Sequence, residues 1–141
     1  TFSKPESRKA RWFIDDNFLS FWFRFIYSNQ TMIEIGKPDL LVEFIYRNYE
    51  QYSGLVLEKY FRDKIKSSGE VTYVGSYWDN KGENEIDIVA LNEIDKTAII
   101  AEVKRNPEKF NPSLLRNKVT SIKKELADYE VIYKVLSLND L

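Results

Sequence analysis

The sequence predicts an α/β domain, α+β by its local pattern. A helix, three strands, a helix and a fourth strand share one mixed central sheet flanked by helices, and an extra N-terminal helical segment precedes them. Three observations predict it. Apolar residues keep a helical spacing up to residue 66 and switch to β-type runs after Gly69. Three such runs, 71–78, 85–91 and 96–104, are separated by the short turn-rich stretches 79–84 and 92–95, which suits an antiparallel meander. Asn111 followed by Pro112 then opens a helix ahead of a last apolar run at 131–136.

Taken in order, residues 1–12 are polar and basic and read as a connector. Asp15 or Asp16 can cap a helix reaching residue 27, in which Phe18, Phe21, Trp22, Phe25 and Ile26 recur at helical spacing while Leu19 and Phe23 fall on other faces. Such a segment is either core or a docking surface for a partner or a second copy, through residues 16–27. Pro38 starts a helix carrying Leu40, Leu41, Phe44 and Ile45, expected to break between Tyr49 and Gly54, with a second helix at 55–66. The strands follow, and on the final helix Leu115, Val119, Ile122 and Leu126 form one apolar face. The domain is therefore expected at 13–141, as a helical extension (13–53) and a core (54–141).

The 141 residues include neither Cys nor His, which excludes disulfides, thiol nucleophiles, zinc-finger ligands and imidazole chemistry. Catalysis must rest on carboxylates, Lys, Tyr, Ser or backbone groups. With 21 Lys and Arg against 22 Asp and Glu, no field covers the whole chain. Locally, residues 79–95 hold six acids against Lys81, and residues 104–124 hold seven bases against Glu108. The apolar stretch 17–27 is too short to span a bilayer and contains Arg24, so no membrane role and a cytoplasmic location are expected. The chain begins at Thr1 and its only Met is Met32, which suggests a piece of a longer polypeptide.

Glu102 and Lys104 lie two residues apart on one strand and share a face, next to the apolar run 98–101. Asp87, between Ile86 and Ile88, is another carboxylate among apolar neighbours. Pairing residues 91 and 96 across the turn sets Asp87 opposite about residue 100, and a slip of two sets it beside Glu102. Adjacent carboxylates repel unless a cation lies between them, and an all-oxygen site favours Mg²⁺ or Mn²⁺. Each residue also has a plainer reading: an exposed strand pair for Glu102 and Lys104, an ion pair with Arg62 for Glu58, a solvated face for the basic helix.

Asp87, followed fifteen residues later by Glu102-Val103-Lys104 and preceded by a helix containing Glu58, resembles the PD-(D/E)XK nuclease superfamily. Phe13-Ile-Asp-Asp-Asn-Phe-Leu-Ser-Phe-Trp-Phe-Arg-Phe25, Gly54-Leu-Val-Leu-Glu58, Trp78-Asp79, Glu85-Ile-Asp-Ile-Val-Ala90 and Ala101-Glu-Val-Lys104 resemble the nuclease-like C-terminal domain of archaeal-type AAA+ ATPases. That resemblance implies a restriction-endonuclease-like α-β-β-β-α-β core of three layers. It places Glu58, Asp87, Glu102 and Lys104 at the active-site positions, with Asp87, Glu102 and the Val103 carbonyl as metal ligands, and makes residues 1–12 a connector from an ATPase and winged-helix region. Ile86 stands where the name-giving proline would be, and no phosphate-binding G-x-x-x-x-G-K-[ST] motif occurs.

The expected function is Mg²⁺- or Mn²⁺-dependent phosphodiester hydrolysis of nucleic acid, DNA in the first instance. The alternative is a catalytically silent interaction or nucleic-acid-binding domain that regulates the attached ATPase.

Overall fold

The computed structural model describes residues 13–79 and 84–141. The expected connector at 1–12, and Lys81 and Glu83 of the acidic hairpin, lie outside the described residues. The chain divides into two compact units, the boundary falling between Val56 and Leu57.

In the first unit, α1 (Asn17–Phe21) is capped by Asp16, whose Oδ1 accepts the Leu19 N–H at 2.7 Å. Regular α-helix stops there. A π-helical turn (Trp22–Ile26) and a 3₁₀ turn (Tyr27–Asn29) follow, then α2 (Gln30–Glu34). The helix expected through residue 27 is thus wound three ways, which alters which aromatics share a face. Phe25 is fully buried, its ring 5.0 Å from Phe21, 5.4 Å from Tyr52 and 6.3 Å from Phe44. The Tyr52 hydroxyl donates to the Asn17 carbonyl at 2.8 Å. Phe18 is 70% exposed, so the aromatic stripe is split between core and surface.

Helix α3 (Pro38–Ser67) runs unbroken through Gly54, contrary to the expected break at 49–54. One helical glycine costs only about 1 kcal/mol, and no proline follows to stop the ladder. Ser53 turns its hydroxyl back to the Tyr49 carbonyl at 2.7 Å, using a turn-forming side chain without leaving the helix. The helix ends where Gly69 takes φ +73°, a conformation open to glycine.

The second unit holds β1 (Tyr73–Trp78), β2 (Glu85–Asn92), β3 (Thr97–Val103), α4 (Pro112–Val119) and β4 (Glu130–Leu136). The sheet has the order β1-β2-β3-β4: the first three strands form the antiparallel meander, and β4 joins β3 in parallel after the crossover through α4. It is the mixed α+β sheet the sequence predicts. Both faces are covered. On one, Val89, Leu91, Ala98 and Ile100 pack with Leu115, Val119 and Ile122. On the other, Ile88, Ala90, Ala101 and Val103 pack with Leu57 and Phe61 of α3. The final helix is shorter than its apolar repeat: α4 stops at Val119 and a 3₁₀ turn (Thr120–Ile122) carries the stripe on.

Candidate functional site

The site arises where two strands part. β2 and β3 pair from Asn92↔Thr97 to Ile88↔Ala101, and β3 continues through Glu102 and Val103 with pairs only to β4. Extended by one step, that register sets Asp87 level with Glu102. At the fork the Val103 N–H lacks a β2 carbonyl and donates instead to Asp87 Oδ2 at 2.8 Å.

A bulge aims Asp87. Between Gly75↔Val89 and Tyr77↔Ile86, β1 advances two residues while β2 advances three. Ile86 therefore packs on the same face as Val89 and Leu91, although strict alternation would place it with Ile88. The extra residue breaks the alternation at Asp87, whose charge reaches Glu58 on α3. Ile86, Asp87 and Ile88 alternate perfectly in the sequence, so no residue type betrays the bulge.

Electrostatics tie the four residues together. Glu58 titrates at about 7, raised first by burial and next by the charge of Asp87, and opposed by Arg62 and more weakly by Lys104. The carboxylate of Glu58 reaches Arg62 only at 3.8 Å, so the expected ion pair forms but does not govern it. Burial also raises Asp87; the Val103 N–H opposes this and Glu102 adds to it. For Glu102, 7% exposed, burial works in the same direction, yet hydrogen bonds from Lys118 and Lys104 overcome it and hold the carboxyl below its usual range. Burial works to lower Lys104, whose bond to Glu102 prevails and raises it, helped by the charges of Glu102, Asp87 and Glu58. The Lys104 ammonium lies 3.1 Å from Glu102 Oε2.

The residue that sequence reasoning missed is Lys118. Its ammonium bonds Glu102 Oε1 from α4. A signal was present, because Lys118 stands three residues after Leu115 and four before Ile122, on the flank of the apolar face that covers the sheet. Glu85, by contrast, is exposed.

The donor chemistry fits a hard divalent cation: burial raises both Glu58 and Asp87, and the charge of Asp87 raises Glu58 further, a conflict that a cation relieves. The fit is incomplete in one respect. Among the described residues, no three acidic side chains are gathered into a ready metal cage, and both oxygens of Glu102 already hold ammonium groups.

The sequence matches, over residues 22–129, the DUF234 family of archaeal and bacterial proteins of unknown function. The chain belongs to this family. It is 35% identical over 145 residues to an uncharacterized protein of Methanocaldococcus jannaschii, in an alignment covering 93% of this chain and 31% of the relative. The chain thus spans about a third of the length of the curated relative it matches. No solved structure matches it. Among the described residues, no helix is long and apolar enough to cross a membrane.

Proposed function

We propose that this DUF234 chain is a PD-(D/E)XK-like nuclease domain that hydrolyses phosphodiester bonds in nucleic acid, DNA first, with Mg²⁺ or Mn²⁺. The observation that carries the reading is the fork between β2 and β3, where Asp87, Glu102 and Lys104 meet within electrostatic reach of Glu58. Asp87, Glu102 and the Val103 carbonyl would hold the ion, which supplies Lewis acidity toward a phosphate oxygen and a more acidic bound water. The chain's own groups do the rest. The Lys104 ammonium, next to Glu102, orients a water and offsets negative charge that grows on the phosphate. Glu58, titrating near neutrality, can accept a proton from that water on its carboxylate oxygen.

A cleft of about 480 Å³ beside α4 supports nucleic acid as the ligand. Arg116, Thr120, Lys123 and Tyr133 are among its walls, and the Arg116 guanidinium lies 5.7 Å from the centre of the Tyr133 ring. Cations alternating with an aromatic face suit a phosphate backbone and a stacked base. The rest of a longer polypeptide, an ATPase on this reading, would deliver the substrate in a cytoplasmic setting. Incubation with plasmid DNA, linear DNA and RNA, with and without Mn²⁺, tests the proposal. Metal-dependent cleavage abolished in Lys104→Ala and Asp87→Ala supports it; cleavage that survives both removes the assignment.

A second reading is favoured by the two ammonium groups on Glu102 and by the exposed aromatics of the first unit, Phe18, Trp22 and Tyr27 among them. In it the site is silent and the domain binds a partner protein, a second copy or nucleic acid without cleavage. Mn²⁺ titration separates the two readings: a site lost in Glu102→Ala supports the first, and absence of binding supports the second.

A further inference from the structure

Glu102 carries one negative charge and is bonded by two ammonium groups, Lys104 on its own strand and Lys118 on α4. The second positive charge balances Asp87, the other acid at the fork, whose charge also feels both lysines. The two lysines are held differently. Lys104 sits two residues along the same strand, its backbone N–H fixed to the Leu136 carbonyl at 2.9 Å, and it senses Glu102, Asp87 and Glu58 together. Lys118 stands one residue before the end of α4, where the helix gives way to a 3₁₀ turn. Its side chain is 27% exposed, so its four-carbon stem has a route to solvent.

We propose that Lys118 is a displaceable internal counter-ion: it occupies Glu102 in the cation-free protein, swings off when a divalent ion is bound, and then presents its ammonium to a phosphate oxygen of the incoming strand. This rests on the reading of Asp87 and Glu102 as cation ligands. The physical reason is competition for one carboxylate. A divalent ion repels an ammonium at contact distance, and Glu102 Oε1 cannot serve both at full strength. Lys118 thereby couples the two ligands, since the group that the ion releases is a phosphate donor and leaves the acids neutralised whenever the ion is absent. The charge-assisted bond that the ion must break weakens its binding by roughly 10- to 100-fold.

The test is calorimetric titration of Mn²⁺ into the whole chain and its variants at low ionic strength, each first shown to be folded by circular dichroism. Lys118→Met keeps the apolar stem and removes the competitor, and is expected to bind Mn²⁺ roughly 10- to 100-fold more tightly. Lys118→Arg, which keeps the ion pair, is expected to bind like the parent. In protein with ¹⁵N-labelled lysine, the Lys118 ammonium signal, slowed in its exchange with water by Glu102, should disappear on addition of Mg²⁺ while that of Lys104 persists. Equal or weaker Mn²⁺ binding by Lys118→Met, or a Lys118 signal unchanged at saturating Mg²⁺, overturns the counter-ion role and leaves the metal reading intact. No Mn²⁺ binding by the parent or by either variant overturns both.

Discussion

Replacing Glu58 by glutamine should change how stability depends on pH, in a direction opposite to an ordinary surface acid. Glu58 ionises at about 7 in the folded chain and at 4.5 when solvated. Below pH 4.5 both states hold the proton and the residue makes no difference. Between 4.5 and 7 the unfolded chain ionises first, so folding becomes less favourable as pH rises, and above 7 the full penalty applies. At 1.36 kcal/mol per pH unit the gap corresponds to about 3 kcal/mol, which solvent at the exposed part of the side chain reduces to about 2–3 kcal/mol. That exposed part is 26%. Asp87, also raised, works in the same sense, whereas Glu102, lowered, stabilises the fold at neutral pH and loses that contribution as pH falls below its ordinary value of 4.5. Glu58→Gln copies the protonated acid at every pH. In EDTA, urea unfolding followed by circular dichroism should find the variant less than about 1 kcal/mol more stable than the parent at pH 5 and about 2–3 kcal/mol more stable at pH 8. A difference that is the same at both pH values would refute the buried, repelled carboxyl and return Glu58 to a plain partner of Arg62.

Three further outcomes are expected. Asp87→Asn keeps an acceptor for the Val103 N–H, so stability should change by no more than about 1 kcal/mol, while Glu58, relieved of its neighbour, should titrate closer to 4.5 by carboxyl ¹³C NMR; an unmoved titration would disprove the contact between the charges. Ile100→Ala empties a fully buried position under α4 and should cost about 2–5 kcal/mol in urea, and a loss below about 1 kcal/mol would contradict the packing of that face. If the cleft beside α4 holds a phosphate backbone, the double change Arg116→Ala with Lys123→Ala should flatten the slope of log binding constant against log salt by about 2; an unchanged slope places the nucleic acid elsewhere.

The antiparallel meander, the mixed character of the sheet and the pairing of Glu102 with Lys104 were legible because period, turn length and the i,i+2 rule act locally. The register was two residues out at its first choice, since the 91–96 pairing ignores the turn's own chemistry. Asn92 accepts the N–H groups of Ile94 and Asp95, and Lys96 takes φ 55°, so Asn92 pairs with Thr97. Nothing in a lysine advertises a left-handed conformation. Gly54 misled in the opposite way, as a residue that tolerates a break without causing one. The bulge at Asp87 was hidden behind perfect alternation, and Lys118 behind the common fate of basic helix residues, which is to face solvent.

A chain without histidine that handles protons near neutral pH must make its own group that titrates there. Burial beside a second acid does this for Glu58, at a cost to the fold that grows with pH. On the proposed reading that cost serves proton exchange: a neutral side chain in the same pocket would avoid both the desolvation and the repulsion from Asp87. Arg62, four residues on, is positioned to neutralise Glu58 fully, yet its reach of 3.8 Å leaves the carboxyl elevated. Glu102, on the sheet that α3 covers, shows the contrary choice, since two ammonium groups overcome burial and keep it ionised. One acid held ionised and another held near neutrality, on adjoining elements, is the division that a hydrolytic site needs between a group that stays charged and a group that exchanges a proton. The two measurements that matter most are therefore complementary: the pH dependence of Glu58→Gln asks whether the proton-exchanging half exists, and the Mn²⁺ affinity of Lys118→Met asks what holds the charged half in place.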